Sequence, residues 1–240
     1  MIAERVAAVR ERIARAAERA RRDPGDVRLV AVSKTQPIEA VREAFAAGVR
    51  DFGENRVQEA ESKIAASGDL VAAGASWHLV GHLQSNKARK AVSAFDVIHS
   101  IDGVDLLEKV DAAAAEVGRE PELLIQVDLA GETTKSGAPE ADLPAIFDAA
   151  GRLKVARLVG MMLLPPYAED PEEARSWFRR LREIRDGFAR QGVDARHLRE
   201  LSMGMSHDFP VAIEEGATTV RVGTAIFGER PPVSGTEKPE

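Results

Sequence analysis

The sequence predicts an α/β protein that folds as a single (β/α)8 TIM barrel with an extra helix at its N-terminus. Eight short, β-rich apolar segments alternate with amphipathic helical segments along the 240 residues, and this alternation is typical of parallel βαβ units. Several segments, such as residues 123–127, are almost continuously hydrophobic, as strands are when both faces are buried. Barrels of this class commonly reach this length as one domain. An open, doubly wound sheet is the alternative architecture.

The extra helix is predicted over residues 1–22. Ile2, Val6, Val9 and Ile13 recur at helical spacing, which places them on one face of a helix. Arg and Glu residues occupy the other face. The turn-forming residues 23–26, Asp-Pro-Gly-Asp, then end the helix. We therefore expect an amphipathic surface helix that packs on the barrel.

The eight predicted strands and the helices between them follow in regular order. The strands cover residues 28–33, 51–53, 77–81, 96–101, 122–128, 155–164, 197–203 and 218–226. The helices lie near residues 38–47, 56–66, 86–93, 104–117, 143–150, 172–190 and 211–215. Because no linker rich in Pro, Gly or Ser interrupts this order, we predict one domain over residues 1–230. Residues 231–240 are predicted to form a disordered tail.

The composition excludes several functional classes. The chain has 33 Lys and Arg against 39 Asp and Glu residues, a net charge of −6, which argues against a general nucleic-acid-binding protein. It has no cysteine, which excludes disulfides, Cys-ligated metals and thiol nucleophiles. The N-terminal segment lacks the apolar core of a signal peptide, and the longest apolar run, residues 158–164, is too short to span a bilayer. We expect a cytoplasmic protein with neither nucleic-acid nor membrane partners.

Lys34 is the first candidate for chemistry. In a barrel of this kind, functional groups lie where the strands end and the βα loops begin, and Lys34 follows the first predicted strand. A lysine amine partly removed from water has a lowered pKa, and its neutral form is the nucleophile that forms Schiff bases. The alternative is a solvated lysine that opens the first loop.

The loops after the last two strands are candidates for a phosphate site, which recurs at this position in TIM barrels. They supply hydroxyl donors, a guanidinium and glycines that let backbone N–H groups approach an anion. The residues concerned are Ser202, Ser206, Arg221, Gly223 and Thr224. Arg221 could instead contact an aromatic ring nitrogen, and the sequence leaves both roles open. With the amine of Lys34, these loops predict a pocket for a phosphorylated carbonyl compound. No metal is expected, because His78 and His82 bracket a strand end without a third ligand nearby.

Six segments of the sequence match a known family. They are residues 31–35 (AVSKT), 52–59 (FGENRVQE), 77–87 (WHLVGHLQSNK), 135–137 (KSG), 201–206 (LSMGMS) and 220–228 (VRVGTAIFG). On these segments the sequence resembles the pyridoxal phosphate homeostasis protein family, a relative of the N-terminal barrel of alanine racemase. The likeness covers nearly the whole chain. It implies a barrel like the alanine racemase N-terminal domain that binds the vitamin B6 cofactor pyridoxal 5′-phosphate (PLP).

The resemblance also implies roles for individual residues. Lys34 matches the lysine that forms the Schiff base, and Asn55 matches a residue that lines the cofactor pocket. The residues that match the region holding the phosphate and ring are Ser202, Ser206, Arg221, Gly223 and Thr224. Lys135 matches a further family lysine that could act as a second acceptor. Gln36 stands where many relatives carry another lysine, which puts in doubt any relay of PLP through that position.

Two classes of function follow from such a site. A racemase or decarboxylase needs acid/base groups on both faces of the cofactor, and in alanine racemase relatives the second face is served by a tyrosine from an additional C-terminal domain. This chain has one tyrosine, Tyr167, beyond Pro165 and Pro166, and it ends about a dozen residues after its last predicted strand. We therefore expect a non-catalytic protein that holds PLP as a Schiff base and acts in intracellular PLP homeostasis and carriage. The alternative is a PLP-dependent racemase or decarboxylase, and a lysine-dependent aldolase is a third candidate. The expected partners are PLP and PLP-requiring apoenzymes, and the expected state is a monomer.

Overall fold

The computed structural model describes residues 1–131 and 136–228. In this part of the chain, eight parallel strands close into a barrel. They are β1 (Arg28–Val32), β2 (Asp51–Glu54), β3 (Ser76–Leu79), β4 (Val97–Ile101), β5 (Glu122–Asp128), β6 (Arg157–Leu163), β7 (Glu200–Ser202) and β8 (Thr219–Val222). The first and last of these strands, β1 and β8, pair directly and complete the ring. The predicted (β/α)8 barrel is thereby confirmed.

Helices surround the barrel. They are α1 (Ile2–Arg19), α2 (Ile38–Ala46), α3 (Val57–Ala65), α4 (Gly68–Ala72), α5 (Ala88–Ala94), α6 (Val104–Val117), α7 (Leu143–Ala150), α8 (Arg175–Arg190), α9 (Phe209–Glu214) and α10 (Thr224–Phe227). The predicted N-terminal helix is confirmed as α1, whose apolar face packs against α9, α10 and α2. Among the described residues, no helix is both long and apolar enough to cross a membrane.

The core has two parts. The larger part lies between the outer face of the barrel and the helices, where side chains such as Phe52, Leu107 and Phe178 are buried. A smaller cluster of Val97, Leu124, Val159 and Met162 lies apart from it. By the alternation of side chains along a strand, Val97, Leu124 and Met162 face the barrel interior, whereas Val159 lies where the register between β5 and β6 shifts. The interior also holds buried polar side chains such as His78, His99, Ser202 and Arg221, and this polar part positions the candidate site.

Some predicted boundaries are wrong for local reasons. The seventh strand begins at Glu200 rather than residue 197, because Ala195–His197 forms a 3₁₀ turn capped by the side chain of Asp194. The eighth strand ends at Val222 rather than residue 226, because the apolar run continues into the short helix α10. Helix α9 begins at Phe209 rather than residue 211. The predicted tail over residues 231–240 lies outside the described residues.

Candidate functional site

The seven predicted site residues come from four strands that are neighbours in the barrel, in the order β7, β8, β1 and β2. All lie on these strands or just after their carboxyl ends, where TIM barrels carry their functional groups. The residues are Lys34 after β1, Asn55 after β2, Ser202 at the end of β7, Ser206 beyond it, Arg221 in β8, and Gly223 and Thr224 after β8. Lys135, the further predicted lysine, lies outside the described residues.

Lys34 is half-buried in a tight turn at the end of β1. Just before it, the amide of Ser33 continues the sheet by donating to the carbonyl of Gly53 at 2.9 Å. Just after it, Thr35 adopts a left-handed backbone conformation with φ of 64°, which is uncommon for a residue with a branched side chain. The amide of Thr35 donates to Glu59 Oε1 at 2.7 Å. The turn is therefore held from both sides, and it keeps Lys34 at the strand end.

A buried ion pair supports this turn. Glu54 is fully buried, and its Oε1 accepts hydrogen bonds from Ser33 Oγ at 2.8 Å and Lys63 Nζ at 2.5 Å. Lys63 Nζ also donates to the carbonyl oxygen of Ser33 at 2.8 Å. Burial raises the pKa of the Glu54 carboxyl, although Lys63 acts in the opposite direction. The pair joins β1, β2 and α3 directly beside Lys34, and the sequence analysis had not identified it.

Arg221 is a buried cation without an anionic partner among the described residues. Its side chain lies in the barrel interior with 3% exposure. Nη1 donates to Ser202 Oγ at 2.6 Å and Nη2 donates to the carbonyl oxygen of Leu163 at 2.8 Å. Burial lowers the pKa of Arg221 to about 10, while the nearby Asp208 carboxylate acts in the opposite direction. A guanidinium held only by neutral acceptors favours an anionic or electron-rich ligand.

The hydrogen bonding continues from Arg221 across the barrel. Ser202 Oγ lies 2.9 Å from His99 Nδ1, and His99 Nε2 lies 3.0 Å from His78 Nδ1. His78 Nε2 lies 3.0 Å from Asp51 Oδ1. Both imidazoles are buried, and burial is the main cause that lowers the pKa of His99 well below its usual value. His99 and Asp51 are not among the predicted site residues, although the two-residue period of strands places both on the inner face.

The two loops predicted to bind phosphate form one unit. Ser206 Oγ accepts hydrogen bonds from the amides of Gly223 at 3.1 Å and Ala225 at 3.3 Å. Between these two amides lies Thr224, which is exposed. Its own backbone N–H makes no hydrogen bond with any of the described residues. The loop after β7 therefore fixes the loop after β8, and the latter presents an N–H group and a hydroxyl at the surface of the site.

Asn55 is positioned by a close backbone contact. A Cβ on Gly81, in the loop after β3, would lie 2.2 Å from the carbonyl oxygen of Asn55, so only glycine fits there. Asn55 itself is half-buried, and its side-chain amide has no hydrogen-bond partner within the described part of the chain. That amide is available to a ligand.

These groups together suit PLP. The aldehyde needs an amine, which Lys34 at the end of β1 could supply, and the ring nitrogen is an acceptor that could meet a buried donor such as Arg221. The phosphate needs N–H and hydroxyl donors, and Thr224 has both. Within residues 1–131 and 136–228, no cluster of three or more His, Asp or Glu side chains could hold a metal ion.

Comparison with known proteins identifies the family. The profile described as "Alanine racemase, N-terminal domain" matches residues 5–231. A pyridoxal phosphate homeostasis protein of Aquifex aeolicus is 44% identical over 227 residues, which cover 95% of this chain and 97% of that protein. The corresponding protein of Escherichia coli is 42% identical over 232 residues, with coverage of 95% and 97%.

Solved structures agree with this result. The structure of PipY of Synechococcus elongatus with PLP bound is 44% identical, has a TM-score of 0.83, and is matched over 95% of this chain and 100% of that chain. Alanine racemase of Streptomyces coelicolor is 22% identical with a TM-score of 0.67, and is matched over 94% of this chain and 59% of that one; it shares the fold. The chain therefore belongs to the pyridoxal phosphate homeostasis proteins, within the wider family of alanine racemase N-terminal domains.

Proposed function

We propose that the chain binds PLP, holds it as a Schiff base on Lys34, and acts in PLP homeostasis. The observation that carries this proposal is the buried guanidinium of Arg221, which has only neutral partners among the described residues. It lies on β8, next to the strand that ends at Lys34. The names of the curated relatives, and the PLP bound to PipY, support the same ligand.

Ser206, Gly223 and Thr224 are the proposed phosphate site, and Arg221 is proposed to face the pyridine nitrogen. The guanidinium is held inside the barrel by Ser202 and a carbonyl of β6, whereas the other three residues lie in the loops at the mouth. PLP carries its ring nitrogen and its phosphate as two separate groups, so two separate sets of donors fit one cofactor. Asn55, on the far side of Lys34, is proposed to line the pocket.

We propose a carrier rather than an enzyme. Racemization requires a positioned acid or base on the face of the cofactor opposite the lysine. The single tyrosine of the sequence, Tyr167, is 81% exposed, and a solvated phenol is not held in position for proton transfer. When bound, PLP would supply an aldehyde and an electron-accepting ring; because Tyr167 is not held in position to act as the second acid/base group, we propose that PLP is retained rather than used. Transfer of PLP to apoenzymes, a cytoplasmic location and a monomeric state belong to the same proposal.

The test is the covalent link. Purified protein loaded with PLP should absorb in the visible range, and borohydride should fix the cofactor irreversibly on a peptide that contains Lys34. The Lys34→Ala variant should lose both signals, whereas Lys87→Ala, a half-buried lysine after β3, should keep both. Cofactor fixed at another lysine in wild-type protein would contradict the assignment. Alanine racemization at rates ordinary for enzymes would contradict the carrier role.

A further inference from the structure

Five side chains form a continuous hydrogen-bonded path through the barrel interior, which we call the interior chain. Its members are Asp51, His78, His99, Ser202 and Arg221, joined by contacts of 3.0, 3.0, 2.9 and 2.6 Å in that order. One end is the guanidinium proposed to face the cofactor ring. The other end is a carboxylate that lines a cleft of about 420 Å³ at the opposite, amino end of the barrel. The path therefore links the two ends of the molecule.

The chemistry of the end groups favours one direction for the hydrogen bonds along this path. Arginine is only a donor, so Ser202 Oγ accepts from Arg221 and can direct its own proton to His99 Nδ1. His99 Nδ1 is then an acceptor, so a neutral His99 carries its proton on Nε2 and donates it to His78 Nδ1. By the same logic His78 carries its proton on Nε2 and donates to Asp51, an acceptor when ionised.

The reverse direction is unfavourable. It would place an unprotonated His78 Nε2 against the carboxylate of Asp51, with two acceptors 3.0 Å apart. The hydroxyl of Ser76, 3.4 Å from the same nitrogen, is a longer contact. A charged His99 is disfavoured by burial and by the facing His78, Arg221 and Arg28. An interior chain with all its donors pointing toward Asp51 gives each of its side chains a hydrogen-bond partner.

We propose that His78 and His99 are positioning residues, each donating its hydrogen bond along the path from Nε2, through which Asp51 orients the Arg221 guanidinium toward the cofactor. Asp51, at the amino end of the barrel, thus determines how the Arg221 guanidinium is oriented at the other end. Aligned hydrogen bonds in a low-dielectric interior polarise one another, so a change at Asp51 is felt at Arg221. The cofactor half of this proposal rests on the proposed PLP function, whereas the tautomer half concerns the protein alone.

The tautomers are tested directly in the protein without cofactor. Long-range ¹H–¹⁵N spectra of ¹⁵N-histidine-labelled protein should show His78 and His99 with protonated Nε2 and unprotonated Nδ1 at about neutral pH. In Asp51→Asn, the new amide can either accept from or donate to His78, so both rings should become mixtures of the two tautomers. Protonation of Nδ1 on either ring in the wild type, or unchanged tautomers in Asp51→Asn, would overturn the proposal.

The coupling to the cofactor is tested with a matched control. Asp51→Asn should raise the PLP dissociation constant at least about threefold, as expected for members of one hydrogen-bonded network. Asp96→Asn alters a carboxylate of the same amino-end cleft that pairs with Arg119 at 2.7 Å and lies outside the interior chain. It should change neither the tautomers nor the affinity. Equal PLP affinity in Asp51→Asn and wild type would overturn the coupling. Failure of the wild type to bind PLP would instead overturn the proposed function. The tautomers of His78 and His99 would still test the hydrogen-bond direction in the interior chain.

Discussion

Arg221→Met separates stability from function at one position. Met fills a similar volume without charge. The substitution removes two hydrogen bonds to neutral acceptors, a loss of about 3 kcal/mol at roughly 1.5 kcal/mol each. It also removes the cost of burying a cation. The lowering of the Arg221 pKa to about 10 corresponds to roughly 3 kcal/mol. The two effects cancel, so the free energy of unfolding without PLP should stay within about 1 kcal/mol of wild type.

Affinity should behave differently, because the hydrogen bond from a charged donor to the cofactor is lost. Such bonds contribute about 1.5–3 kcal/mol, so the PLP dissociation constant should rise roughly 10- to 150-fold. Urea unfolding of cofactor-free protein and titration with PLP measure the two quantities. Val220→Ala is the matched control on the same strand, since Val220 is fully buried in the outer core. It should lose about 1–3 kcal/mol and keep its affinity. Unchanged affinity in Arg221→Met, or a loss of stability well above about 1 kcal/mol, would refute the reasoning.

Four further outcomes are expected. Glu54→Leu should lower the free energy of unfolding by about 3–5 kcal/mol because Lys63 is left buried and unpaired, and adding Lys63→Met should recover most of that loss in urea unfolding. Burial raises the pKa of Glu54 in the folded state above its unfolded value, so the stability that Glu54 contributes is present at acid pH and falls as pH rises through the raised pKa. The free energy of unfolding of wild type should therefore exceed that of Glu54→Gln by more at about pH 5 than at about pH 8. Gly81→Ala should cost about 1–3 kcal/mol and weaken PLP binding, whereas Gly103→Ala, with open space around it, should do neither. Ser206→Ala should raise the PLP dissociation constant while far-UV circular dichroism stays unchanged, and equal affinity would remove this residue from the phosphate site.

The barrel could be predicted because its signal is local and repeated. Each strand is a short apolar run between helical segments, and eight of them in order leave few alternatives. Boundaries failed where the same residues suit two structures. The run after Val222 is apolar enough to continue the strand, yet Thr224–Phe227 turns into a helix. Only the backbone geometry after Gly223 distinguishes the two.

The sequence predicts individual residues of the candidate site, including the interior Ser202 and Arg221, but not the contacts between its interior side chains. Lys34 and the loops around Ser206 and Thr224 follow from the rule that function lies at strand ends. The contact between His99 and Ser202 joins residues 103 positions apart, on strands that are not adjacent in the barrel. The two-residue period shows that both face inward. Which inward side chains touch depends on how the ring closes, and no segment of sequence contains that information.

The pairing of β1 with β8 has a consequence for how the molecule matures. Lys34 lies on one side of this junction and Arg221 on the other, so the proposed cofactor pocket spans the junction between the first and last strands of the ring. A growing polypeptide cannot assemble it until β8 has emerged and docked. A ligand that binds only the completed ring would stabilise it, by a free energy that grows with the logarithm of the free ligand concentration above the dissociation constant. Cofactor binding would therefore stabilise the barrel only once its ring of strands is complete.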